Sequence, residues 1–327
     1  MSDPVAPIHG DEGSGDIEGS AEFTGRNRPR PDGGHTVNAA ETTDRSAMTA
    51  TLSETGSLRD RTRHTLVVAV TEYRLAVRGR WALALAGVFT VFAAMIVTFS
   101  GSAVGPEGTE RVVASLTSLA VYLVPLAALA FGYDAIVGRE EEGWLGVLLS
   151  LPVSRGEVVV GSYLGRLTVL AGSTAIGFGF AGVLLFREFG VTHWDAFLAF
   201  LFGTVAVGAA FLAIAVLLST VAAEKTHALG AALLVWVWFV LIHDLIALGV
   251  VAAFTLPDTL LSALVLVNPA SVCRVLVLGS LGTTASGGFT AALAGAGLST
   301  LVLVVTLLAW CVVPVVLAMR LVDRRRL

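Results

Sequence analysis

His243 and Asp244 stand side by side inside the apolar run Trp236–Val237–Trp238–Phe239–Val240–Leu241–Ile242, followed by Leu245. An ionisable group at membrane depth costs roughly 2.5–3.5 kcal/mol on insertion scales, so such residues face a bundle interior or a water-filled path. Two readings are open: a pair lining a transport path or serving a membrane-embedded enzyme, or a structural hydrogen bond between helices. Neighbouring residues point about 100° apart on a helix, so the two cannot both face one ligand. The soft or nitrogen donors Cys273, Cys311, Met95 and His243 could in principle suit Cu(I). No Cys-x-x-Cys, Met-x-x-Met or Cys/His zinc spacing groups them, and a lone Cys in a span is a small hydrophobe. We therefore expect no metal site. We assign no catalytic residue either, since His-Glu-x-x-His and Gly-x-Ser-x-Gly are absent. A P-loop needs Gly-Lys before Ser or Thr, yet the single lysine, Lys225, follows Glu224. Any ATP-driven step must draw on another chain.

The most patterned polar stretch is Gly138 to Arg166. Within it Trp144, Val147, Leu148 and Leu151 recur at i, i+3, i+4 and i+7, one face of a helix. Arg139, Glu140, Glu141 and Glu142 precede that face, and Pro152, with no N–H to donate, ends it. An amphipathic helix there could lie on the membrane surface or dock on a soluble partner; the alternative is a solvated connector.

These residues are positioned by apolar segments. The chain has 327 residues, 55% of them hydrophobic and 14% charged, and its mean hydropathy is +0.80. Such values indicate an all-α integral membrane protein. A net charge of −4 gives no reason to expect nucleic acid as a partner. Residues 1–57 carry ten acids and four arginines with almost no apolar pattern, and are expected to form a disordered acidic tail. Residues 58–80 are basic, with Arg59, Arg61, Arg63, Arg74, Arg78 and Arg80. They suit an interfacial helix on an anionic membrane face, or an extension of the first span.

Residues 81–319 are expected to hold six transmembrane helices, at about 81–99, 112–133 (containing Pro125), 163–186 (rich in small residues), 196–222, 228–254 and 289–318. Between the fifth and sixth, residues 255–288 read as short outer helices or a re-entrant segment broken at Asn268–Pro269. Residues 320–327 form a basic terminus. On the terminal side of this topology lie fourteen Lys and Arg, against Arg111, Arg187 and Arg274 opposite. The positive-inside rule then predicts a multi-pass protein of the cell membrane with both termini cytoplasmic.

The order Asp134, Gly138–Arg139–Glu140, Gly143, Leu148–Leu149–Ser150–Leu151–Pro152–Val153–Ser154–Arg155, Glu157, Gly161 resembles the first cytoplasmic loop of type-2 ABC exporter permeases. Trp144 stands where Thr is usual there, and Ser162 where Lys is usual. The resemblance implies that this loop is an amphipathic coupling helix between spans 2 and 3, receiving the stroke of an ATPase through Arg139, Glu140, Glu141, Glu142, Trp144, Leu148 and Leu151. It implies a second coupling element at Ala223–His227, with Glu224 and Lys225. It further implies a separate ABC ATPase subunit carrying ATP–Mg, no cofactor in this chain, a homodimer in membrane lipid, and a possible extracytoplasmic accessory protein. The Trp-rich fifth span with Asp244, then Asn268–Pro269 and Arg274, resembles the narrower NosY-like group, which serves maturation of copper-containing nitrous oxide reductase. His243 replaces an aromatic common in that group. The alternative function class is an unpowered membrane scaffold or a membrane-embedded enzyme using His243 and Asp244.

Overall fold

A computed structural model describes residues 62–100, 108–143, 154–189, 194–254, 257–281 and 297–324. Among them every regular element is helical. Trp144, Leu148, Leu151 and the expected amphipathic helix lie outside these residues, as do residues 1–57.

Helix α1 covers 62–78. A turn at 79–80 follows, in which Arg80 takes φ 62°, the left-handed region that few non-glycine residues occupy. That turn separates α1 from α2 (Trp81–Ser100), so α1 is a helix of its own rather than an extension of the first span. Next come α3 (Gly108–Gly132), with Pro125 inside it, and the short α4 (Val137–Glu141). Helix α5 (Arg155–Phe189) and helix α6 (Trp194–Val221) are long and continuous. The fifth span is α7 (Lys225–Trp236), a π-helical turn (Val237–Ile242) and α8 (His243–Ala253). Helices α9 (Asp258–Leu266) and α10 (Pro269–Ser280) form a pair bent by 112° at Asn268. Helix α11 (Thr300–Val322) ends the described chain.

Among the described residues six helices are long and apolar enough to cross a membrane, at Trp81–Phe99, Glu110–Glu141, Arg155–Arg187, Trp194–Val221, Lys225–Ala253 and Thr300–Val322, and the bent α9–α10 pair reaches that length only if taken as one broken span. Three boundaries differ from the hydropathy reading. The third helix begins at Arg155 rather than near 163. Ser154 Oγ accepts from the Glu157 N–H at 3.3 Å, and Glu157 Oε2 from the Ser154 N–H at 3.0 Å. This is a capping box, which starts a helix among polar residues that hydropathy alone excludes. The last helix begins at Thr300, where Ser299 Oγ accepts from the Val302 N–H, rather than near 289, and it runs on to Val322 instead of ending near 318.

Helix α6 is the centre of the bundle, with α3, α5, α10 and α11 packed on it. Phe89, Phe178 and Phe200, from α2, α5 and α6, are fully buried and touch in series, at 5.4 and 5.3 Å between ring centroids. Helix α1 lies on the start of α5 because Gly161 and Gly165 present bare backbone there. A Cβ at Gly165 would stand 2.5 Å from Ala69 O and from Glu72 Cβ.

Candidate functional site

Three polar clusters stand out among the described residues of this apolar bundle. The first joins α1 to the stretch between α3 and α5. Val68, Glu72 and Ala76 recur every fourth residue along the buried face of α1. Glu72 is therefore turned inward, 5% exposed, against two arginines. It forms an ion pair with Arg139 and lies 3.7 Å from Arg166 Nε. Arg139 also donates to Ser162 Oγ at 3.0 Å. Arg166 Nη1 reaches Asp134 Oδ1 at 2.6 Å and donates to the Phe131 carbonyl, while its guanidinium lies over the Phe131 ring at 5.5 Å. Two carboxylates and two guanidiniums thus neutralise one another, with Glu72 and both arginines largely buried and Asp134 at the solvent edge.

The second place is α4 itself. The N–H groups of Ile136 and Val137 both donate to Ser219 Oγ, near the end of α6, at 2.9 and 3.1 Å. Lys225 opens α7 and completes the arrangement. Its backbone N–H donates to Glu141 Oε1 at 2.7 Å and its Nζ to Glu142 Oε1 at 2.8 Å. A Cβ at Gly138 would stand 2.9 Å from Lys225 Cε, so the glycine admits the lysine stem. The two segments expected to be coupling elements are therefore in contact with each other. Glu140 is half-buried, and Glu224 is exposed with His227 at 4.0 Å.

The third place is where α9–α10 meets the fifth span. Asn268 Oδ1 caps α10 by accepting from the Ala270 N–H at 2.9 Å. Its Nδ2 donates to the Phe239 carbonyl at 2.7 Å and lies 2.9 Å from His243 Nδ1. Phe239 belongs to the π turn, whose i→i+5 ladder leaves carbonyls available to side chains. Asp244 Oδ2 lies 2.9 Å from Arg274 Nη1 on α10. His243 and Asp244 thus have separate side-chain partners, Asn268 and Arg274, yet they also approach each other, with His243 Nδ1 3.8 Å from Asp244 Oδ1. Among the described residues no group of three or more His, Cys, Asp or Glu could hold a metal ion.

Sequence reasoning named Arg139, Glu141, Glu142, Lys225, His243 and Asp244, and the structure brings them into these clusters. It missed Glu72, although an acid at the centre of the Val68–Ala76 stripe is a legible signal of a buried partner. It also missed the roles of Asp134, Arg166 and Arg274 as counter-ions.

Comparisons with known proteins agree on what such a bundle is. Residues 66–327 match the ABC-2 family transporter protein family. The chain is 37% identical over 267 residues to a protein of Pseudomonas aeruginosa named "Probable ABC transporter permease protein NosY". That match covers 79% of this chain and 97% of the relative. A protein of the same name from Stutzerimonas stutzeri is 37% identical over 269 residues, with the same coverage. These matches, with six membrane-length helices among the described residues, place the chain in the ABC-2 transporter family, as a NosY-like multi-pass permease subunit whose ATPase is a partner subunit.

Proposed function

We propose that the α4–α7 junction is the cytoplasmic face on which the ATPase acts, and that both termini lie on that side. The observation carrying this reading is the double hydrogen bond of Lys225 to Glu141 and Glu142. It makes the first and second inter-span loops of that face one mechanical unit. A push on either would move α4, and through Ser219 and Arg139 it would reach α6, α5 and α1. The segment after Gly143, with Trp144 and Leu148, supplies the apolar docking face of this unit. Two copies of the permease and two ATPase subunits form the working assembly, with two-fold symmetry. The likeness to NosY-like permeases suggests service to the maturation of a copper enzyme, with an extracytoplasmic accessory protein at the opposite face.

The test is ATPase stimulation in a reconstituted complex, with assembly followed separately. Trp144→Ala should weaken stimulation, because buried aromatic anchors carry roughly 2 kcal/mol or more at such interfaces. If Trp144→Ala and Leu148→Asp both leave assembly and stimulated turnover unchanged, the docking face lies elsewhere. Reporter fusions after Gly143 should read cytoplasmic, and fusions after Gly105 and Gly190 should read extracytoplasmic.

A further inference from the structure

Helix α1 has three faces, and among the described residues only one is covered. At about 100° per residue, Val68, Glu72 and Ala76 form the buried face on α5. Next round the helix come Tyr73, Leu66, Val77 and Val70, which fall within an arc of roughly 60°. All four are large apolar side chains at 42–60% exposure. Beyond them lie Arg63, Arg74 and Arg78 on a second arc of roughly 60°, with Val67 among them. All three arginines are exposed, and among the described residues none of them forms an ion pair. His64, at the edge of this stripe, is directed instead to Glu157 at 3.7 Å.

An apolar stripe flanked on one side by arginines matches the boundary between acyl chains and anionic headgroups. The helix is also followed, after one turn, by a membrane-length helix at Trp81, which holds it close to the bilayer. A soluble acidic partner would account for the arginines but not for the adjacent row of Leu, Val and Tyr.

We propose that residues 62–78 read the charge of the membrane surface. Arg63, Arg74 and Arg78 take the phosphates of anionic lipids, and the Leu66–Val77 stripe enters the acyl boundary. Glu72, on the buried face, passes the seating of the helix to Arg139 and Arg166. Because Glu72 is held by both guanidiniums, α1 cannot shift on α5 without disturbing the segment that leads into α4.

The experiment is amide hydrogen exchange of the full-length permease alone, in nanodiscs of phosphatidylcholine or of a phosphatidylcholine–phosphatidylglycerol mixture. No ATPase is needed, so the result is independent of the docking face proposed above. Exchange across 62–78 should be slower in the mixture by roughly tenfold, with a parallel slowing across 134–141. High salt should reduce both effects, because exposed charges are screened within about 3 Å at 1 M. The triple variant R63Q/R74Q/R78Q changes only exposed side chains and should remove the lipid difference in both segments. Equal exchange in the two lipids would overturn the proposal. So would reproduction of the effect by inorganic phosphate with phosphatidylcholine discs, which would mean a free anion and not a surface is bound. Slowing that appears only when the ATPase subunit is added would assign the face to that protein instead. Slowing of 62–78 without any change at 134–141 would overturn the transmission through Glu72.

Discussion

Asp244 Oδ2 and Arg274 Nη1 stand 2.9 Å apart, one on the fifth span and one on the helix that follows the Asn268 bend. Both side chains are largely buried, at 17% and 6% exposure. Truncating one member of such a pair strands the other charge in a low-dielectric site, which costs about 3–5 kcal/mol. Asp244→Ala should therefore lower the stability of the permease by that amount, measured by denaturant titration in micelles. The double variant Asp244→Leu/Arg274→Met should recover most of the loss, because two apolar side chains leave no orphan charge. A double variant as unstable as Asp244→Ala alone would show that the pair does more than neutralise itself.

Glu72 is the sole acid on the buried face of α1, and two guanidiniums depend on it. Glu72→Ala should cost about 3–5 kcal/mol on the same argument. Proteolysis within 62–78 should become faster than in the parent protein. Glu72→Gln keeps the shape and one acceptor, and should fall between the two.

Gly165 and Gly172 lie two turns apart on α5 and should respond in opposite ways. At Gly165 a new Cβ meets Ala69 O and Glu72 Cβ at 2.5 Å, so Gly165→Ala should lose about 1–3 kcal/mol from overpacking. Nothing stands within 4 Å of a Cβ at Gly172. Gly172→Ala should be neutral, or gain up to about 1 kcal/mol from helix propensity. Melting temperatures of the two variants, measured side by side, check the contrast.

Lys225 and Glu142 form an exposed pair, at 33% and 60% side-chain exposure. Solvent screening limits its contribution to stability to less than about 1 kcal/mol. Lys225→Glu should accordingly leave the melting temperature nearly unchanged yet reduce ATPase stimulation. The charge swap Lys225→Glu/Glu142→Lys should restore stimulation in part. Rescue distinguishes a mechanical contact from a general effect of charge on that face.

Hydropathy made the spans legible, since a run of about twenty uncharged residues at 1.5 Å per residue has few other uses. It failed where a helix begins or ends in polar sequence. Ser154–Glu157 carries the spacing of a capping box, a start signal that hydropathy does not weigh. The Asn268 break and the irregularity of 255–288 were visible because proline and asparagine interrupt an apolar pattern. The partners of Asn268 were not, since Phe239 and His243 come close only through a π turn that has no signature in local propensity. The contact of Lys225 with Glu141 and Glu142 likewise depends on where α3 and α6 end relative to each other, a distance no local pattern encodes.

The π turn at Val237–Ile242 fixes a phase between the two halves of the fifth span. One surplus residue in the ladder turns the second half by about 100° relative to a continuous α-helix. On the near side Trp236 Nε1 donates to the Tyr122 carbonyl at 3.0 Å, and on the far side Asp244 meets Arg274. The two anchors address different neighbours, and the count of residues between them decides whether both can be met. A single-residue deletion within Val237–Ile242 would retain both anchoring residues, Trp236 and Asp244, and misaim one of them. What must be kept in this span is a spacing as much as a set of residues.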